Sequence, residues 1–466
     1  MKYISTRGEA PELGFQEVLL AGLARDGGLY IPSQWPQISS EEIKSMAGQS
    51  YAETAKMVLT PFVDGEIPTS DFHQMIDEAY ATFHHPAVVP LVQIGDNHWI
   101  MELFHGPTLA FKDVAMQLLA RMMDYVLAER NQRATIVGAT SGDTGGAAVE
   151  AFRGRENTDI FILFPKGKVS PVQQRQMTTV PDANVHTLAI EGDFDDCQAL
   201  VKEMFNHHDF RDRLQLSGVN SINWGRIMAQ VVYYFSSAAN IGSPDRTVSF
   251  TVPTGNFGDI FAGYVAKRMG LPVDDLVIAT NQNDILTRTF ESSRYETTVT
   301  TPSISPSMDI QVSSNFERLL FDASERNAAE IRQQMDNLKQ SGSFEISTAT
   351  MERIQSEFSA GRCDEVQTKE RISQTLQAAS YLSDPHTAVG LHVAEASLDS
   401  HNPMITLATA HPAKFPVAVE EACGIYPDLP ERMGDMMDRE ERFHVLANDI
   451  NAVESYIEEN SRAAGS

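Results

Sequence analysis

The chain has 466 residues, 42% of them hydrophobic, and carries 63 acidic against 36 basic residues, a formal net charge of −27. This acidic excess argues against a nucleic acid or an anionic membrane as a partner, because both are bound through basic surfaces. The 23 phenylalanines argue against a disordered chain. At about 150 residues per domain, the length predicts roughly three structural units.

Cysteine content and the N-terminus indicate the compartment. The three cysteines, Cys197, Cys363 and Cys423, form no CxxC pair, so no disulfide framework is expected. The first residues, MKYISTRGEAPELGF, lack the apolar run of a signal peptide. The best apolar stretch, around 114–128, is interrupted by Arg121 and Asp124 and is too short to cross a membrane. We therefore expect a soluble, cytoplasmic protein.

In chain order, residues 1–95 are predicted to form a mostly helical domain. A helix over 16–25 is indicated by apolar residues at helical spacing that end at Asp26-Gly27-Gly28. Two further helices are predicted to start after Ser39-Ser40 and after Thr69-Ser70-Asp71, where polar residues can cap a helix N-terminus.

From about residue 98 the pattern changes to short apolar runs that alternate with amphipathic helices. Strands are predicted at 99–104, 134–138, 159–164, 185–190, 248–252, 276–280 and 404–408. Strands alternating with helices indicate parallel sheets covered on both faces, so the predicted fold class is α/β. The length fits two such units, a smaller one over 96–240 and a larger one over 241–420.

Two regions outside these units are predicted to be irregular or helical. Residues 291–314 are rich in Ser and Thr and are predicted to form one long loop. Residues 315–381 are predicted to be a helical insertion in the larger unit. Residues 421–466 are predicted to be a helical extension, with Val445, Ile450, Val453 and Ile457 on one helix face.

The segment 248–259, VSFTVPTGNFGD, joins a buried strand to an amphipathic helix through a turn that contains glycine. Gly255 and Gly258 allow backbone N–H groups to approach a ligand, and the helix start adds a positive dipole end, which suits a phosphate. The segment is neither a Walker loop nor GxGxxG. Asp259 is expected to cap the helix. An ordinary strand-to-helix turn is the alternative.

A second loop of this kind lies in 134–146, ATIVGATSGDTGG. Thr140, Ser141, Asp143 and Thr144 offer hydroxyl and amide groups suited to a carboxylate or another anion. Ligands of parallel sheets bind at the carboxyl ends of the strands. Two such loops in one chain therefore predict two anionic groups held near each other.

The third segment, ELFHGPTLAFKD at 102–113, places Lys112 between Phe111 and Asp113 at a helix start. The helix dipole and the apolar neighbours both disfavour a cation there. Both effects lower the pKa of Lys112 and favour the neutral amine, which is the nucleophile that forms a Schiff base. A solvent-facing lysine is the alternative.

Other chemistries have little support in the sequence. The pairs His84-His85 and His207-His208 lack metal-ligand spacing, so no metal site is predicted. A serine hydrolase is not indicated, because no GxSxG occurs.

Several blocks together resemble the longer threonine synthases, pyridoxal-phosphate enzymes that share the tryptophan-synthase-β fold, or fold type II. The blocks are ARDGGLYIP (24–32), HGPTLAFKD (105–113), GATSGDTG (138–145), NSINWGRIMAQVVYYF (220–235), PTGNFGD (253–259), SPSMDI (305–310), SNFERL (314–319), DPHTAVG (384–390) and LATAHPAKFP (407–416). They span most of the chain in the order of that family, so the resemblance does not depend on one motif.

The resemblance assigns roles to individual residues. Lys112 would form the Schiff base with the cofactor, pyridoxal 5'-phosphate, and Thr409 would face the pyridine nitrogen. The cofactor phosphate would be held by Gly255, Asn256, Phe257, Gly258 and Asp259. The substrate carboxylate would be held by Thr140, Ser141, Gly142, Asp143 and Thr144. Sister enzymes of the fold often have Asn at the position of Asp143, contacting the ring oxygen, and a carboxylate is poorly suited to that contact.

The implied reaction converts O-phospho-L-homoserine and water to L-threonine and phosphate, the last step of threonine biosynthesis. Lys112 would act as the base at Cα and at Cβ. Arg226, His411 and Lys414 are hypothesised to bind the substrate phosphate, and the expected partner is this small molecule, bound by a monomer or homodimer. The alternatives are a threonine or serine dehydratase of the same fold and a non-catalytic binding homologue.

Overall fold

The computed structural model describes residues 1–465. Its strands are β1 (Tyr3–Ser5), β2 (Tyr30–Pro32), β3 (Leu91–Gln93), β4 (His98–Glu102), β5 (Ala134–Ala139), β6 (Thr158–Pro165), β7 (Val185–Glu191), β8 (Leu216–Ser217), β9 (Val248–Pro253), β10 (Val273–Thr280), β11 (Arg294–Glu296), β12 (Ser343–Glu345), β13 (Phe358–Arg362), β14 (Met404–Ala408) and β15 (His444–Ala447).

The helices are α1 (Phe15–Ala21), α2 (Ser40–Ser45), α3 (Tyr51–Val63), α4 (Thr69–Tyr80), α5 (Lys112–Glu129), α6 (Asp143–Phe152), α7 (Pro171–Thr178), α8 (Phe194–Asn206), α9 (His208–Arg213), α10 (Trp224–Asn240), α11 (Gly258–Arg268), α12 (Ile285–Ser292), α13 (Phe316–Ala323), α14 (Ala328–Ser341), α15 (Thr348–Gln355), α16 (Glu365–Ala379), α17 (Pro385–Ala394), α18 (Pro416–Cys423) and α19 (Ile450–Asn460). Among residues 1–465, no helix combines the length and the apolar character that crossing a lipid bilayer requires.

Two sheets form the centre of the molecule. The larger has the order β13-β10-β9-β14-β4-β3 and is parallel except at β3, while the smaller, β15-β7-β6-β5-β8, is parallel throughout. Their central strands β6 and β9 are buried at every residue. Burial of both faces explains their continuous apolar runs. The predicted α/β class with two parallel-sheet units is confirmed.

Four sequence expectations need correction. Strand β4 belongs to the larger sheet, although its residues fall within the predicted smaller unit, 96–240. The expected loop over 291–314 contains β11, which pairs with β12, and β13 from the expected helical insertion extends the larger sheet. Val445 lies in β15, which pairs with β7, and not on the face of α19. All these strands have three to five residues, too few for a clear period in the sequence.

Helix α10 links the structural units. It is buried along almost its whole length and packs against α3, α5 and α11. A helix that is apolar on all sides is stable only inside the protein. The larger sheet places β9, β14 and β4 side by side, so the segments that follow these three strands meet at one edge.

Candidate active site

Lys112 is the first residue of α5 and its side chain is buried. The preceding turn lies along the segment after β14, because Phe111 N–H donates to the Thr409 carbonyl (2.8 Å) and His411 N–H donates to the Leu109 carbonyl (3.0 Å). Burial lowers the pKa of Lys112. The Asp143 carboxylate raises this pKa, and the nearby cations Arg226 and Lys414 lower it further. The structure therefore excludes the solvent-facing alternative and favours the neutral amine.

The turn between β9 and α11 has the geometry of an anion cradle. Within residues 1–465, the backbone N–H groups of Asn256, Phe257 and Gly258 donate no hydrogen bond. Their position is fixed from the carbonyl side, since the Ser313 hydroxyl donates to the Gly255 carbonyl (2.7 Å) and Asn315 N–H donates to the Asn256 carbonyl (3.0 Å). Free N–H groups at a helix start suit a phosphate.

Gly255 is required in this turn for space. A Cβ atom built there would lie 2.7 Å from the carbonyl oxygen of Ser307, well inside contact distance. Phe257 adopts a left-handed conformation (φ 62°), which directs the chain into the helix.

Asp259 does not cap α11, contrary to the expectation. Its side chain turns toward α10, where the hydroxyls of Tyr233 and Tyr234 donate to the Oδ1 atom. Within the described chain, residues 1–465, the Oδ2 atom is buried without a partner. Burial raises the pKa of Asp259 to about 6, and the tyrosine hydroxyls only partly offset this. Only the backbone of Asp259 is therefore placed to meet a phosphate.

In the loop before α6, one hydroxyl group stabilises the loop and two others are available to bind a ligand. The Thr140 hydroxyl oxygen accepts from Gly142 N–H and Gly145 N–H, each at 2.9 Å, and so holds the loop together. In the described part of the chain, the hydroxyls of Ser141 and Thr144 have no partner. These two groups, with the free N–H groups of the helix start, form the part of the loop that can accept a carboxylate.

Asp143 is the charged centre of the site. Its Oδ1 atom accepts from Gln173 Nε2 (2.9 Å) and lies 3.0 Å from Lys414 Nζ. Its Oδ2 atom lies 3.4 Å from Lys112 Nζ and 3.4 Å from the Ser307 hydroxyl. Burial alone would raise the pKa of Asp143, but Lys414 and Lys112 hold that pKa well below its usual range. Asp143 is therefore a carboxylate in direct contact with the candidate catalytic lysine.

Lys414 is fully buried, and its ammonium has no donor left for a substrate phosphate. Besides Asp143, it donates to the Thr108 carbonyl (2.7 Å) and to Gln176 Oε1 (2.8 Å). The predicted role of Lys414 as a phosphate ligand disagrees with this geometry. The sequence analysis missed Gln173, Gln176 and Ser307, and only the SPSMDI block signalled one of them.

Arg226 and His411 are placed differently from each other. Arg226 is buried, and among residues 1–465 its side chain donates only to the Val219 carbonyl (3.2 Å) and its Nε is unpaired. Burial lowers the pKa of Arg226 to about 10, which leaves it charged near pH 7. His411 uses Nδ1 to accept from Ala413 N–H (3.1 Å), and burial lowers its pKa to about 4. A neutral imidazole does not supply the positive charge expected of His411.

His411 lines a cavity of about 550 Å³ whose lining includes neither Lys112 nor Asp143. Arg226, in contrast, is close enough to Lys112 to lower its pKa. The structure thus brings Arg226 toward the lysine, while His411 faces a different space.

Thr409 completes the arrangement beside Lys112. It is buried, its carbonyl accepts from Phe111 N–H, and its hydroxyl donates to no residue within 1–465. Pyridoxal phosphate requires three kinds of group: an amine that reacts with its aldehyde, N–H donors for its phosphate, and a partner for its ring nitrogen. The buried amine of Lys112, the free N–H groups of the cradle and the hydroxyl of Thr409 are of these kinds. The residues present fit this cofactor.

Comparison with known families agrees with this geometry. Residues 2–80 match the family described as threonine synthase N terminus, residues 88–337 match pyridoxal-phosphate dependent enzyme, and residues 387–457 match threonine synthase, C-terminal. The chain belongs to the threonine synthase family. The predicted family, fold type and cofactor class are thereby confirmed.

Relatives of this family match over nearly their whole length. A threonine synthase of Pseudomonas aeruginosa is 51% identical over 99% of this chain and 98% of its own. The structure of a threonine synthase of Brucella melitensis, described as bound to pyridoxal phosphate, has 64% identity and a TM-score of 0.98, and the match covers 99% of this chain and 100% of that one. The Escherichia coli enzyme has 32% identity and a TM-score of 0.83, covering 98% and 100%.

Proposed function

We propose that this threonine synthase family member converts O-phospho-L-homoserine and water to L-threonine and phosphate, as a phosphate-eliminating lyase. The observation that carries the proposal is the buried amine of Lys112, with its lowered pKa, between an anion cradle and a loop of free hydroxyls. The full-length similarity to threonine synthases supports this substrate. Location in the cytoplasm, and assembly as a monomer or homodimer, stay predictions.

The cofactor would be held by residues from three neighbouring strand ends. The N–H groups of Asn256, Phe257 and Gly258 would bind its phosphate, Thr409 would face its ring nitrogen, and Lys112 would hold its aldehyde carbon. When bound, pyridoxal phosphate supplies an electron sink for the carbanion character that develops at the substrate. Because Thr409 is a neutral hydroxyl, the charged groups around Lys112 contribute more to stabilising that charge.

The chain's own groups would bind the substrate and move its protons. Ser141 and Thr144 would hold the substrate carboxylate at the start of α6. Lys112, whose pKa is lowered by burial, would take the proton from Cα, release it, and only then take the proton from Cβ as the phosphate leaves Cγ. It would later return a proton to the product as water adds at Cβ. Arg226 would bind the substrate phosphate, since it is a buried cation whose Nε has no partner. A buried charge without a counter-ion is costly unless a ligand supplies one.

The two alternative functions are not favoured. Structures of the dehydratase type, such as a threonine deaminase of Solanum lycopersicum, share only 13% identity at a TM-score of 0.52, which shows the common fold alone. A non-catalytic homologue has no need for a buried lysine with a lowered pKa, a feature that costs folding free energy.

The test combines spectroscopy and product analysis on the purified protein. With added pyridoxal phosphate, we expect a visible absorption band that is absent in Lys112→Ala. Addition of O-phospho-L-homoserine should release phosphate and threonine in equal amounts. A band without these products would refute the substrate, and the absence of any band would refute the role of Lys112. Lys168→Ala is a matched control, because Lys168 is exposed.

A further inference from the structure

The pair formed by Asp143 and Lys414 is the most deeply buried ion pair next to Lys112. Lys414 is 0% exposed and Asp143 is 5% exposed. Each ammonium hydrogen of Lys414 has an acceptor, because the Asp143 carboxylate, the Thr108 carbonyl and Gln176 Oε1 surround Nζ within 3.0 Å. Burying two charges is costly unless their hydrogen bonds are satisfied, as they are here. Lys414 is therefore rigidly held, and it holds Asp143 in turn.

The two carboxylate oxygens of Asp143 contact different partners. Oδ1 is taken by Lys414 at 3.0 Å and by Gln173 at 2.9 Å. Oδ2 is left facing the amine of Lys112 and the hydroxyl of Ser307, both at the longer distance of 3.4 Å. A carboxylate with only one nearby cation would move toward that cation. Here the second cation keeps Asp143 from closing onto Lys112.

We propose that Lys414 is a positioning residue that holds the carboxylate of Asp143 beside Lys112 while sharing its charge. The inference deepens the proposed function, since it assigns to Lys414 control of the catalytic amine instead of contact with the substrate phosphate. Without Lys414, Asp143 binds the ammonium form of Lys112 more tightly, and the amine loses its proton only at a higher pH.

The other charged groups around Lys112 do not change this expectation. Asp143 comes from α6, Arg226 from α10, Asp259 from α11, and Lys414 from the turn after β14. Two further titratable groups act on this pair: His386 of α17 on Asp143, and Asp113 of α5 on Lys414. Arg226 and Lys414 both favour the neutral amine, and Asp143 favours the ammonium form. Loss of Lys414 removes one of the two cations and frees Asp143 at the same time, so both effects raise the pKa of Lys112.

The experiment compares the wild type with Lys414→Met, Lys414→Arg, Asp143→Asn and the double variant Asp143→Asn/Lys414→Met. Two profiles are recorded against pH. The first is kcat for threonine formation. The second is the rate at which cofactor-free protein captures pyridoxal phosphate, followed by visible absorption, which reports the neutral fraction of Lys112 without turnover.

For Lys414→Met we expect the acidic limb of both profiles to move up by about one pH unit, roughly a tenfold loss of rate on that limb. Lys414→Arg keeps the charge and should stay within about half a unit. The double variant, which removes both charges, should return toward the wild type. A lower kcat for Lys414→Met with unmoved profiles overturns the proposal, as does a double variant that keeps the shift.

Circular dichroism at each pH establishes that the variants fold. If Lys414→Met does not fold, Lys414→Gln replaces it, because an amide removes the charge while still donating to the Thr108 carbonyl. A wild type that forms no threonine would refute the proposed function. The capture profile of the cofactor-free protein would still decide the role of Lys414.

Discussion

Replacement of Asp259 by asparagine tests whether the carboxylate under the phosphate cradle destabilises the folded protein. Its Oδ2 atom is buried without a partner among residues 1–465, and burial raises its pKa from the ordinary value of 3.8 to about 6. For an acid with a raised pKa, the folded state binds the proton more tightly than the unfolded state. Its ionisation therefore costs stability as the pH rises from about 4 through 6.

The size of this effect follows from the two pKa values. A difference of about 2 units corresponds to a cost of about 3 kcal/mol at pH 7, and roughly 1.3 kcal/mol of that appears between pH 5 and pH 7. Asparagine keeps an oxygen for Tyr233 and Tyr234 but leaves an unpaired N–H₂, which costs about 1–3 kcal/mol at every pH. The pH dependence of the difference is therefore the prediction.

The assay is urea unfolding of wild type and Asp259→Asn at pH 5 and pH 7, both as cofactor-free protein. From pH 5 to pH 7, the free energy of unfolding of the variant should rise by about 1.3 kcal/mol relative to that of the wild type. Asp113, which is also buried and has a pKa raised to about 6, titrates in both proteins and cancels in the comparison. A stability difference that is the same at both pH values would refute the reasoning.

Three further changes have expected outcomes. Gly255→Ala should weaken cofactor binding at least about tenfold, since its Cβ meets a backbone carbonyl, whereas Gly95→Ala, with 3.5 Å to its nearest atom, should bind normally in a fluorescence titration. Arg226→Met removes a buried cation whose Nε has no partner among residues 1–465, so it should raise the melting temperature of the cofactor-free protein. The variant should also be stabilised less by added phosphate, and unchanged stabilisation by phosphate would contradict the assigned role of Arg226. Arg462→Ala should lower the free energy of unfolding by about 1–3 kcal/mol, because the side chain of Asp159 is only 3% exposed and loses the guanidinium at 2.7 Å. An unchanged free energy in denaturant unfolding would show that this ion pair does not stabilise the protein.

The sequence determined the parts of this protein that depend on local pattern. The apolar runs at 134–138 and 248–252 indicated buried parallel strands, because both faces of such strands are apolar, and the strands found there extend one residue further. Lys112 at a helix start among apolar residues indicated a lowered pKa, since the helix dipole and burial are both set by near neighbours. The motif blocks indicated the family, and the comparisons confirmed it.

Tertiary structure decided which groups share a charge. Lys414 and Asp143 lie 271 positions apart in the chain and meet only because β14 and β5 bring their loops to one site. Asp259 was expected to cap its helix, yet two tyrosines of α10 turn it inward. The short strands β13 and β15 are strands because they pair with β10 and β7, and their own sequences did not indicate this. Such pairings depend on long-range contacts, and local propensity and periodicity carry no information about them.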